Sequence, residues 1–315
     1  MSAAWHYFVL SAPLFLIVFV GYLIGLWRHW PRRWTSIASK LVFAVILPAL
    51  LFGMMSDLSA LPPVDARLLI AFFGGCFIVF GVGRLVAARV FQLDGVSQSV
   101  FALGGVFSNN VMLGLPIAKL TLGEAAVPSV ALVLVFNALT LWTLVSISVE
   151  WARHGSFTAK GFGKTALSVA TNPLVAAIVI GTLVGLSGYR LPGPVRLVLD
   201  GIGSLAAPAA LLVLGLGLAE YGIRRDWRLS LSMTGLKLLV QPLAVWALGA
   251  AIGLPALELQ VVVLLASMAV GANVYLMAAQ FQTLQAPVAS SLVISTALAA
   301  ISSPLLLGLM HAFGS

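Results

Sequence analysis

Charge is what this chain lacks most. Asp, Glu, Lys and Arg together make up 8% of its 315 residues. A soluble domain carries about a quarter, so these few charges cannot cover a water-facing surface. Cysteine is nearly absent too. Cys76 stands alone in an apolar run, which excludes a disulfide framework. The four histidines, His6, His29, His154 and His311, lie in loops or near the termini and form no metal-spaced cluster. No phosphate-cradling loop, dinucleotide fingerprint or nucleophile elbow appears, so the sequence encodes no recognisable enzyme, and no cofactor or metal is implied.

Apolar residues fill the space that charge leaves, at 61% of the chain. They come in runs of about twenty rather than in the short alternating stretches of a membrane barrel. Lipid offers no partner to a free peptide group, so such runs must be helices. The reading is an all-α integral membrane protein. The net charge of +8 invites a nucleic-acid partner, but in a membrane chain it reflects basic cytoplasmic loops. The lipid bilayer is the expected partner and nucleic acid is not. The first apolar run, near residues 7–27, has its basic cluster after it, as a retained span does and a cleaved signal does not.

Ten spans are expected, near 7–27, 36–56, 67–88, 97–121, 126–149, 172–188, 200–219, 229–252, 258–281 and 287–310. The polar stretch 151–171 reads as a surface linker between two five-span halves, 1–150 and 172–315. Loops after odd-numbered spans hold twelve Lys and Arg. The other side holds four: Arg67, Lys119, Arg190 and Arg196. This bias places the linker in the cytoplasm and both termini outside a cell inner (plasma) membrane.

The halves resemble each other. Pro13-Leu14 with Gly21, Gly25 and Leu26 returns at an offset of 160 residues as Pro173-Leu174 with Gly181, Gly185 and Leu186. Pro48-Ala49 returns as Pro208-Ala209, and Asn110-Val111 with Leu113 echoes Asn273-Val274 with Leu276. Five is odd, so the second copy enters from the opposite face and the repeat is inverted. The paired Gly-xxx-Gly motifs mark close helix packing or a homodimer face.

Two spans are interrupted at matching places. The fourth holds Gly104-Gly105, Ser108-Asn109-Asn110 and Gly114-Leu115-Pro116; the ninth holds Ser267, Gly271 and Asn273. Proline removes a donor and glycine loosens a helix, so both stretches should unwind. Unwound chain in a bilayer is tolerated only against protein or a water-filled cavity, and the amides opening each second half-helix attract anions. Asn109, Asn110, Asn273 and Ser267 are therefore candidate substrate contacts, with Gly114, Pro116 and Gly271 as crossover hinges. The plainer alternative is a pair of kinks whose asparagines bond neighbouring helices. Asn137, mid-way in the fifth span, is a weaker candidate of the same kind. Lys237 lies well inside the eighth span, either beside an anion path or reaching an interface or a broken-helix carbonyl. None of the nine acids falls in mid-span.

Ser108-Asn109-Asn110-Val111-Met112-Leu113-Gly114-Leu115-Pro116 resembles the fourth-span signature of the auxin efflux carrier family. Asn172-Pro173-Leu174, Ala207-Pro208-Ala209 and Lys237-Leu238-Leu239-Val240-Gln241-Pro242 are similar to further motifs of that family in the same order. The resemblance implies ten spans, an inverted five-plus-five repeat, a scaffold part and a moving part, and a site at crossed, broken fourth and ninth spans. It implies transport of an organic anion, an indole carboxylate in plant members and dicarboxylates such as malate or malonate in bacterial ones. This chain looks like a compact bacterial member. Where the family usually has a ninth-span proline, this chain has Ala269, which leaves Gly271 to supply the flexibility. The rival readings are a sodium-coupled symporter of the bile-acid transporter type and a membrane sensor or scaffold that moves no solute.

Overall fold

A computed structural model describes residues 3–27, 31–57, 64–154, 173–221 and 226–314. These are helical apart from turns, short connections and one isolated antiparallel bridge. In chain order the helices are α1 (Ala3–Leu26) and α2 (Arg32–Leu41, a π-helical turn Val42–Ile46, then Leu47–Met55). Next come α3 (Leu68–Arg89), α4 (Gly95–Gly104) and α5 (a π turn Asn110–Gly114, then Leu115–Leu122). A 3₁₀ turn, Glu124–Ala126, leads into α6 (Val127–His154). After it come α7 (Pro173–Leu186), α8 (Gly193–Tyr221) and α9 (Trp227–Gly235, a π turn Leu236–Val240, then Gln241–Ala251). The last are α10 (Ala256–Ala266), α11 (Asn273–Gln280) and α12 (Gln285–Gly314).

Seven of these, α1, α2, α3, α6, α8, α9 and α12, contain apolar stretches long enough to cross a membrane. Asn110–Leu122, Pro173–Leu186 and Ala256–Ala266 are shorter apolar helices. α6 runs on to His154, past the expected start of the linker, and residues 155–172 lie outside the described residues.

The three π turns share a cause. Each ends two residues before a proline: Pro48, Pro116 and Pro242. A proline ring collides with the carbonyl four residues back, which here belongs to Ala44, Met112 or Leu238, inside the π turn each time. Widening the turn relieves the collision without ending the helix.

Small residues decide which helices touch. A side chain on Gly21 would overlap the carbonyl of Leu212, and one on Gly215 would overlap the carbonyl of Val18. A Cβ on Gly25 would stand 2.6 Å from that of Ala219. The Gly21-xxx-Gly25 face is thus the seam between α1 and α8 inside one chain, not a surface left for a second copy. Gly181 packs the same way against α2, where a Cβ would lie 2.8 Å from the carbonyl oxygen of Phe52. Gly75 brings α3 onto α9 at Val245. α1, α2, α7 and α8 pack together, and α3, α4, α6, α9 and α10 pack together around α5 and α11, while α12 touches both sets, lying along α1 and α9.

Candidate functional site

The chain leaves α4 at Gly104-Gly105 and runs without helix through Phe107, Ser108 and Asn109 before α5 begins. It leaves α10 after Ala266, runs through Ala269, Val270 and Gly271, and begins α11 at Asn273. The two gaps meet. The Asn109 amide donates to the Ala269 carbonyl at 2.8 Å, and the Gly271 amide donates to the Phe107 carbonyl at 2.8 Å. Ser108 and Val270 form the antiparallel bridge between them. The Val270 amide donates to Ser295 Oγ on α12 at 3.0 Å. Pairing the gaps with each other satisfies backbone groups that lipid would leave bare.

α5 and α11 therefore both start at the crossing. The first amides of a helix have no partner within it and carry the positive end of its dipole. Asn109 anchors the start of α5 through its carbonyl, which accepts from Leu113 at 3.2 Å and Gly114 at 3.1 Å. The second bond reaches back five residues and is the π turn that Pro116 enforces.

Gly271 is present for closeness rather than for flexibility. Its φ lies outside the left-handed region. A Cβ there would sit 3.0 Å from the Ser108 carbonyl oxygen and 3.1 Å from the Phe107 ring. Gly114 is similar: a Cβ would meet Leu265 at 2.9 Å and Asn110 Oδ1 at 3.2 Å.

The other ends of the gaps, the carbonyl ends of α4 and α10, are closed from α9. Lys237 Nζ donates to the carbonyl of Ala266, the last residue of α10. Gln241 Nε2, four residues on, donates to the carbonyl of Val106 just beyond α4 at 2.9 Å and lies 3.3 Å from Cys76 Sγ. Both side chains are completely buried. Of the roles open to Lys237, the structure shows it on a broken-helix carbonyl, at the negative end of α10.

The family model described as "Membrane transport protein" matches residues 6–307. The chain belongs to this family, that of the auxin efflux carriers. It is also 23% identical over 294 residues to a Rhizobium meliloti (strain 1021) protein named "Putative malonate transporter", covering 92% of this chain and 91% of that one. It is accordingly a multi-pass membrane protein of a transporter family, not of an enzyme family.

Within this auxin efflux carrier chain, the candidate residues separate by environment. Asn109, Asn110, Asn137, Ser267 and Lys237 are buried; Asn273 is half-buried. Asn110 is 1% exposed, and both its amide nitrogen and its oxygen lack a partner. Ser108 Oγ beside it is in the same condition. Ser267 is occupied locally, donating to the Leu264 carbonyl at 2.8 Å and standing 3.4 Å from Ser303 Oγ. On α6 the Asn137 amide oxygen, the Trp142 indole N–H and the Thr143 hydroxyl are buried without a partner. A buried polar atom without a partner costs about 1–3 kcal/mol, so unpartnered Ser108 and Asn110 at the crossing are a costly arrangement for a purely structural protein. Sequence reasoning placed Ser108 in the interrupted fourth span and Gln241 in the eighth-span motif without giving either a role, and passed over Ser295 and the Trp142-Thr143 pair. A signal for Gln241 was available: it follows Lys237 by four residues, one helical turn, in an apolar span.

Proposed function

We propose that the chain is a secondary transporter or facilitator for a small organic anion, a carboxylate bound where the two broken helices cross. The observation that carries this is the pairing of two unwound segments deep in an apolar chain, with unpartnered Asn110 and Ser108 side chains beside it. The amides opening α5, with those of Ala272 and Asn273 at the start of α11, supply donors for a carboxylate, and the asparagine amides can donate or accept as it turns. Asn109, Asn110 and Asn273 are the proposed contacts, with Asn137 a further polar position on α6. Gly114, Pro116 and Gly271 shape the crossing, and Lys237 with Gln241 holds it.

Ten spans in an inverted five-plus-five repeat fit the packing. α1 lies on α8 as α7 lies on α2, the exchange that the repeat demands. In this reading α1, α2, α7 and α8 are the scaffold and the helices around the crossing move against it, exposing the site to each face in turn. The basic loops put the linker in the cytoplasm and both termini outside the inner membrane. An inside-negative potential opposes anion entry by about 2.3 kcal/mol per charge per 100 mV, so uncoupled transport runs toward export.

Malonate is the first substrate to test, because the relative's name carries it. The experiment is uptake of labelled malonate into proteoliposomes loaded with unlabelled carboxylate, with and without sodium. Sodium-independent counterflow is the expected result. A sodium-coupled symporter draws support from the hydroxyls of Ser267, Ser295 and Ser303 around the second gap. Against it, the Ala266 carbonyl is already taken by Lys237 Nζ and is not free to ligate a cation. Counterflow that vanishes without sodium overturns the uncoupled reading.

A further inference from the structure

Three of the four basic residues on the face opposite the linker line one cavity. It has a volume of about 840 Å³ and opens between α2, α7 and α8 on one side and the α5–α6 turn on the other. Its charged lining is Lys119, Arg190 and Arg196 with Asp57, Glu124 and Asp200. The fourth basic residue of that face, Arg67, is held elsewhere by Asp65 at 2.6 Å and by the Ile252 carbonyl at 3.1 Å. A membrane chain keeps few cations on its outer face, and the three that converge here meet three acids, of which Asp200, like Arg190, is in no ion pair among the described residues.

Two of the three cations are paired, each within its own helix group. Lys119 meets Glu124 at 2.9 Å beside α5, and Arg196 meets Asp57 between α8 and the end of α2. Neither of these two pairs crosses the cavity. Arg190, just beyond the left-handed Gly188 turn after α7, has no acid partner among the described residues. The wall beside it is small, with Gly53 on α2 and Gly203 and Ser204 on α8. Lys119 stands nine residues along α5 from Asn110, roughly 14 Å at the rise of a helix. The cavity therefore lies at the far end of the half-helix that begins at the crossing.

We infer that this vestibule is a second, shallower station for the carboxylate, with Arg190 as its unpaired anchor and Lys119 and Arg196 as cations that can share their acids. The inference rests on the transport reading above, and its test reads the two separately. In the structure Cys76 is the one cysteine and is buried, so Ser204→Cys gives a single accessible thiol in the vestibule. Its reaction with a membrane-impermeant maleimide is followed in the purified protein with malonate, and with malonamide as the uncharged control. Malonate at about ten times its half-protecting concentration slows labelling roughly tenfold, as simple occupancy requires. Malonamide does not protect. Adding Arg190→Gln raises the half-protecting concentration about tenfold, the worth of one charge-assisted bond, and Arg190→Lys recovers most of it. Protection absent in Ser204→Cys, or unchanged by Arg190→Gln, overturns the vestibule site. Malonate counterflow with no protection leaves the transport reading standing and removes this one; protection with no counterflow does the reverse.

Discussion

Single side chains around the crossing carry opposite kinds of information. Gly271 reports space: Gly271→Ala pushes a methyl against the Ser108 carbonyl. Overpacking of this sort costs about 1–3 kcal/mol, so the variant should melt at a lower temperature in detergent. An unchanged melting point would show that the crossing yields. Asp94 reports charge. It caps α4, its carboxylate accepting from the Ser97 hydroxyl at 2.6 Å and from the amides of Val96 and Ser97. The Ser97 hydroxyl, with those amides, holds its carboxyl below the ordinary 3.8. A depressed folded value stabilises above the unfolded one and is lost as pH falls through the folded one. Asp94→Ala should therefore lower stability at neutral pH by about 1 kcal/mol, and the gap from wild type should close toward pH 3 and below. A gap independent of pH would mean that the cap acts without its charge. Asp94 was unremarkable in sequence, since an acid before a span reads equally well as a loop residue.

Whole helices show where sequence legibility stops. The break in the fourth span was readable from Gly104-Gly105 and Pro116, because those residues act on their own backbone. The break in the ninth was read from Ser267, Gly271 and Asn273, with Ala269 in the place of the expected proline, but what holds it open was not readable. What opens it is the pairing of Ala269 and Gly271 with Asn109 and Phe107, some 160 residues away in sequence, which no local pattern encodes. The same limit hid the part played by α9. Lys237 was legible as an anomaly in an apolar span, but its partner, the Ala266 carbonyl, was not. Lys237→Met and Gln241→Leu each strand a buried carbonyl, at a cost of about 1–3 kcal/mol. Both should lower the melting temperature while leaving the malonate concentration for half-maximal counterflow unchanged. A shift in that concentration for Lys237→Met at unaltered stability would return the lysine to the substrate site.

The molecule as a whole follows from one constraint, the lack of water partners for backbone in a bilayer. That constraint made the all-helical class legible from composition, and it made the two gaps pair with each other once they existed. The Gly21-xxx-Gly25 and Gly181 faces were legible as packing motifs, but their partners α8 and α2 were not, since a small residue records closeness without naming its neighbour. At this scale the central claim is that the crossing binds the solute. Counterflow of labelled malonate decides this most directly, measured in proteoliposomes for wild type, Asn109→Ala and Asn110→Ala at equal protein incorporation and equal melting temperature. Wild type should exchange malonate, and Asn110→Ala, which removes the amide left unpartnered at the crossing, should lose roughly tenfold or more in rate at subsaturating substrate. Asn109→Ala should fall in the same direction. Rates equal to wild type in both variants would contradict a carboxylate site at the crossed helices.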